Sequence, residues 1–146
     1  MLERLRRLLP GLWAGVLLCI AAIAAPAAFA LLERPVAGQV VGWFFQREAW
    51  MSIGLAVALL AIERSRARAA AAVGDGSVLS TEILLLLGTV FCTVAGYFAL
   101  QPLMAAARAG QGALSFGQLH FISVGFFGAK LLCILALAWR AAGARR

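Results

Sequence analysis

Charge, histidine and cysteine are all scarce in this sequence. Only 13% of its 146 residues are charged, six are acidic, one is histidine and three are cysteine. Soluble domains carry about 25% charged residues. A single histidine excludes a haem held by two histidines of one chain. The cysteines, Cys19, Cys92 and Cys133, are far apart and form no C-x-x-C or other metal-ligand spacing. No nucleophile–base–orienter set and no phosphate-binding loop is present, so no enzyme, cofactor or bound metal is expected.

What fills the chain instead is apolar residue. The hydrophobic share is 64% and the mean hydropathy is +0.95, against about 45–50% apolar in soluble domains. So short a chain has too little interior to hide that surface from water. The composition points to an integral membrane protein. Four apolar runs stand out, at about residues 8–32, 41–62, 83–107 and 116–139. None alternates with period two, so helices are expected and a barrel is not. Each run has about the 20 residues needed to cross the ~30 Å hydrocarbon core. The fold class is therefore an all-α bundle of four transmembrane helices in one domain over 1–146. The second run is the least regular, because Gln46, Arg47 and Glu48 interrupt it. Residues 35–45 read either as a short interfacial helix or as the tilted start of that span.

The net charge is +7. The basic residues cluster beside the apolar runs, which places them at membrane surfaces and makes a nucleic-acid partner unsupported. Arg4, Arg6 and Arg7 precede the first span, Arg64, Arg66 and Arg68 follow the second, and Arg140, Arg145 and Arg146 follow the fourth. Those nine share one side if all four runs cross. Arg34, Arg47 and Arg108 belong to the other. The asymmetry places both termini in the cytoplasm of a multi-pass cell-membrane protein, the inner membrane in a Gram-negative cell. The loop from Ala69 to Thr81, with Gly74, Asp75 and Gly76, is its longest polar connection. The opening, ending in Ala28-Phe29-Ala30, imitates a cleavable signal peptide, but its apolar run exceeds the usual ~7–15 residues. It is read as a retained span.

Polar groups are costly inside a bilayer and tend to face other helices or a wet cavity. Glu48 and Gln46 lie at the outer start of the second span. Tyr97 and Gln101 share a face of the third, and His120 and Ser123 share a face of the fourth. The expectation is an outward-facing polar pocket of these six residues, with Glu48 and His120 as its titratable pair. The competing reading makes them interfacial residues satisfied by one another and by water. Lys130 is a separate intramembrane charge. Its options are snorkelling, pairing with Glu82, or a place in a translocation path. Small residues Gly11/Gly15, Gly88/Cys92/Gly96 and Gly125/Gly128 allow close helix contact, within one bundle or in a homo-oligomer. Membrane lipids are the remaining expected partner.

Several segments resemble the transmembrane-protein-205-like family, domain of unknown function 4149. They are Leu9-Pro10-Gly11-Leu12-Trp13-Ala14-Gly15, Ala25-Pro26-Ala27-Ala28-Phe29, Gln101-Pro102-Leu103-Met104, and the F-x-x-x-H-x-x-S pattern of Phe116, His120 and Ser123. Some relatives place Asn four residues beyond that serine, where this chain has Phe127. The resemblance implies a four-helix membrane protein and suggests transport or trafficking. The functional expectation is a small transporter or export-related factor. The alternatives are a non-transporting interaction or assembly protein and, more remotely, a haem- or metal-binding redox protein.

Overall fold

The computed structural model describes residues 2–74 and 77–143. Asp75 and Gly76 of the long loop, and Arg145 and Arg146 of the last basic cluster, lie outside the described residues. The described chain forms four long helices, α1 (Leu2–Leu31), α2 (Arg34–Ala72), α3 (Thr81–Arg108) and α4 (Phe116–Gly143), each long and apolar enough to cross a membrane. No strand occurs among the described residues. Large apolar side chains face outward around the bundle, among them Phe121, Leu132 and Trp139. An apolar surface that broad is compatible with lipid and not with a water-exposed monomer.

Local chemistry sets the helix ends. The α2 helix starts directly after extended Glu33, with Pro35 in its first turn. A proline there lacks an N–H that would be unpaired anyway, and its φ already suits a helix. Residues 35–45 are thus the beginning of α2, not a separate interfacial helix. The α3 helix is capped by Ser80, whose Oγ accepts from the Ile83 N–H at 3.4 Å. It ends at Gly110, whose φ of 74° is positive. The Gly110 N–H donates to Ala107 O and the Gln111 N–H to Ala106 O. This pairing satisfies the last carbonyls and needs the left-handed glycine.

Two prolines reshape the helices they sit in. The segment Ile20–Ala24 of α1 is a wide π turn, and Pro26 follows it. In α3 the π turn is Val94–Ala99, and Pro102 follows. A proline cannot donate to the carbonyl four residues earlier, and its ring pushes that carbonyl away. The carbonyl at that distance falls inside the π turn in both helices. Widening the turn accommodates the lost bond.

Helix α1 packs beside α2 and α4, and α3 also packs beside α2 and α4. The pairs α1/α3 and α2/α4 therefore face each other across the bundle. The end carrying the chain termini is filled by a dry core of Trp13, Leu17, Leu59, Leu86, Ile134 and Leu137. Ion pairs tie the helices there. Arg6 bonds Glu3 at 2.7 Å and lies 3.5 Å from Glu63, joining α1 to α2. Arg140 bonds Glu82 at 2.8 Å, joining α4 to α3. At the opposite end Leu100, Met104 and Leu119 join α3 to α4. Between these two cores the bundle is not filled.

Candidate functional site: a four-helix cavity on a buried ion pair

The central feature is a connected polar network at mid-bundle. Lys130 Nζ donates to both oxygens of Glu48, each at 2.8 Å. Ser52 Oγ donates to Glu48 Oε1. Trp13 Nε1 donates to Ser52 Oγ at 3.0 Å. Glu48 and Lys130 are each only 3% exposed, so this is a desolvated pair and not a surface contact. An unpaired charge at such depth is strongly unfavourable, and two opposite charges with well-placed hydrogen bonds satisfy each other. Lys130 Nζ also lies 5.0 Å from the centre of the Phe127 ring, a favourable cation–π distance. Among the described residues no buried side-chain nitrogen or oxygen lacks a partner.

Depth explains the pairing. Both α2 and α4 start at the end of the bundle away from the termini and run the same way. Glu48 is 14 residues past Arg34, and Lys130 is 14 residues past Phe116. At about 1.5 Å per residue both lie ~21 Å in. They meet across the bundle diagonal. This corrects three expectations. Lys130 does not stand apart from the polar cluster. It pairs with Glu48, while Glu82 is taken by Arg140. Glu48 is not paired with His120, which is exposed and stacks on Phe116 with ring centres 5.9 Å apart. The start of α2 at Arg34 brings Glu48 to the depth of Lys130, twice as deep as a start near Val41 would put it.

A cavity of about 490 Å³ opens above this pair, and all four helices wall it. Glu48, Tyr97, Gln101, His120, Ser123 and Lys130 line it. Five of the six expected pocket residues are thus brought to one cavity. Gln46 is not among them and is exposed. Two positions along a helix turn the side chain by about 200°, so an inward Glu48 sends Gln46 outward. Arg47 also faces out, its guanidinium 5.2 Å from the Trp43 ring centre. Among the described residues no hydrogen bond joins Glu48, Gln101 and His120 to one another. Ser123 Oγ instead donates to Gly96 O at 2.8 Å. That carbonyl lies in the π turn of α3, where the Leu100 N–H bonds Tyr97 O instead of Gly96 O.

Residues of both π turns, Ala21 in α1 and Gly96 and Tyr97 in α3, line the cavity. Gly96 packs so closely on Phe126 that a Cβ there would collide with that side chain. Gly88 faces Cys133. By contrast Gly11, Gly15, Gly125 and Gly128 have open space, so the small-residue faces divide between internal packing and the outer surface. Among the described residues no three His, Cys, Asp or Glu side chains converge as a metal site. Cys19 is exposed, and Cys92 and Cys133 are half-buried and free.

The sequence reading missed Trp13, Ser52 and Arg108. Ser52 had a signal, because it lies one turn from Glu48 on the same face. Arg108 lines the cavity near its far end, its guanidinium 4.5 Å from the Phe116 ring centre. It belongs to no ion pair among the described residues.

Fold and site together define a membrane-embedded bundle of four helices around a partly polar cavity. The chain belongs to the family described as Domain of unknown function (DUF4149), whose model matches residues 8–113. The matched range covers α1 from Leu8 onward, all of α2 and α3, and Glu48, and α4 with Lys130 lies beyond it. No curated protein and no solved structure matches the chain.

Proposed function

We propose that this protein is a small transporter or export-related factor of the cell membrane, with both termini in the cytoplasm and the cavity opening outward. The observation that carries this reading is the cavity walled by all four helices and floored by a buried ion pair. Binding cavities of about 300–1,000 Å³ commonly combine apolar walls with a few placed polar groups. Ionisable residues inside a membrane commonly mark a path for ions or substrates. A bridge across the bundle diagonal is well placed to close such a path. The dry core below it blocks the cytoplasmic side in this conformation.

Cys92 lines the cavity and supplies a reporter. With Cys19→Ala and Cys133→Ala in place, it is the remaining cysteine. A membrane-impermeant thiosulfonate reagent is then applied to right-side-out and to inverted vesicles. Alternating access predicts labelling from both faces. Labelling from one face only, or none, refutes transport through this cavity. The second reading is a non-transporting assembly protein. It is favoured by the open Gly11/Gly15 face of α1, and by a network that is fully satisfied without ligand. One-sided labelling with a cross-linkable α1–α1 contact would select it.

A further inference from the structure

The cavity's shape and charge narrow its ligand, if the binding role above holds. Its lining runs along α4 from Phe116 to Lys130, about 21 Å of helix rise. A volume of about 490 Å³ drawn out over that length is narrow, suited to one extended chain. Much of the wall is apolar, including Ala21, Ala25, Val41, Phe45 and Val124. The ionisable lining groups are few. Helix α1 presents none, α2 presents Glu48, α3 presents Cys92, Tyr97 and Arg108, and α4 presents His120 and Lys130. Of the permanently charged groups, two cations, Arg108 and Lys130, face one carboxylate, Glu48. The excess positive charge belongs to Arg108 near the mouth, so an organic anion is drawn in and an organic cation is repelled.

At the floor the anion meets a pair that is already neutral. Adding a negative charge beside Glu48 and Lys130 would leave a net charge in a low-dielectric site. The site keeps its neutrality if a proton enters with the anion. We propose that the cavity binds a single-chain organic anion, with Glu48 taking up one proton as Lys130 passes its hydrogen bonds to the anion. The proton comes from the bulk solution, where the acid form of the buffer releases it, and it forms an O–H bond on a Glu48 oxygen. The two Nζ–H···O bonds to Glu48 break, and equivalent bonds form to the anion. The site is neutral before and after. Ser52 is placed for both states. A hydroxyl oxygen has two lone pairs, one used by Trp13 Nε1 and one left for the new Glu48 O–H.

The test uses the full chain in lipid nanodiscs and the probe octanesulfonate, a single-chain anion that stays ionised at neutral pH. Any proton taken up on binding therefore goes to the protein. Calorimetry in two buffers of different ionisation heat should give one proton per octanesulfonate, and affinity should fall about tenfold per unit rise in pH. Octyltrimethylammonium should bind at least tenfold more weakly. Glu48→Gln should bind octanesulfonate without proton uptake, and Lys130→Met should lose at least tenfold in affinity. His120→Ala should leave the uptake intact, and this decides the matter should the Glu48 variant not fold. No octanesulfonate binding, binding without proton uptake, equal binding of the cation, or uptake abolished by His120→Ala would each overturn the proposal. Two-sided Cys92 labelling without proton uptake refutes this inference and leaves transport standing. Proton uptake with one-sided labelling does the reverse.

Discussion

Glu48 and Lys130 should be energetically inseparable, and a double-mutant cycle measures this directly. Lys130→Met leaves a carboxylate at mid-bundle with Ser52 as its only remaining hydrogen-bond partner among the described residues. Glu48→Gln leaves an ammonium beside a neutral amide. Removing one member of a buried pair costs about 3–5 kcal/mol. Placing an unpaired charge at the centre of a spanning helix costs about 2.5–3.5 kcal/mol on insertion scales. Both scales put each single variant near 3 kcal/mol. The double variant has no stranded charge. It loses mainly hydrogen bonds, worth about 1 kcal/mol each in net terms, and gains an apolar side chain on Phe127. It should lie within about 2 kcal/mol of the unsubstituted protein. The coupling should then reach about 4 kcal/mol, read from reversible unfolding in mixed micelles by tryptophan fluorescence. A coupling below about 0.5 kcal/mol, the usual scatter of independent sites, would mean that the two charges do not sustain each other.

Three further outcomes follow from contacts elsewhere. Gly96→Ala should destabilise by about 1–3 kcal/mol through overpacking on Phe126. Gly88→Ala, whose new Cβ would sit 3.5 Å from Cys133 Sγ, should change the same unfolding midpoint little, and equal effects would refute the close-approach account. Trp13→Phe keeps most of the ring but removes the N–H donated to Ser52, so a loss of about 1 kcal/mol is expected. Combining it with Ser52→Ala should cost less than the sum. Arg140→Gln breaks a bridge to Glu82 whose arginine side chain is 48% exposed. It should cost no more than about 1 kcal/mol, and a larger loss in chemical denaturation would show that this pair organises the α3–α4 contact.

The architecture was legible because it rests on quantities a sequence carries directly. Run length, the lack of period two and low charge specify four helices without reference to any contact. The site was half legible for a different reason. Tyr97/Gln101 and His120/Ser123 were placed on common faces by helical spacing, which holds wherever the helix begins. Glu48 required a boundary as well. The triplet Gln46-Arg47-Glu48 looks like the polar margin of a span, yet α2 runs through it from Arg34, with Arg47 and Gln46 turned outward. Rotation, invisible without a neighbour to define inside, separates Glu48 from the two residues before it.

The pairing itself was written in the chain once the boundary is right. In a bundle whose second and fourth helices run the same way, residues equally far from their starts share a depth. Glu48 and Lys130 are both 14 residues along, and among the described residues no other acid lies at that level. Helix α1 has its only acid, Glu3, in its first turn, and α3 has its only acid, Glu82, in its first turn. Both are at the end of the bundle away from Lys130's cavity. A lysine at mid-depth had one carboxylate within reach, and it lay on the helix opposite. The same geometry makes the cavity: the two helices carrying the charges are not packed on each other, so their side chains bridge a gap that apolar residues leave unfilled above it. The ion pair and the cavity are thus one consequence of helix order and depth, and a substitution that lets α2 and α4 close on each other should remove both.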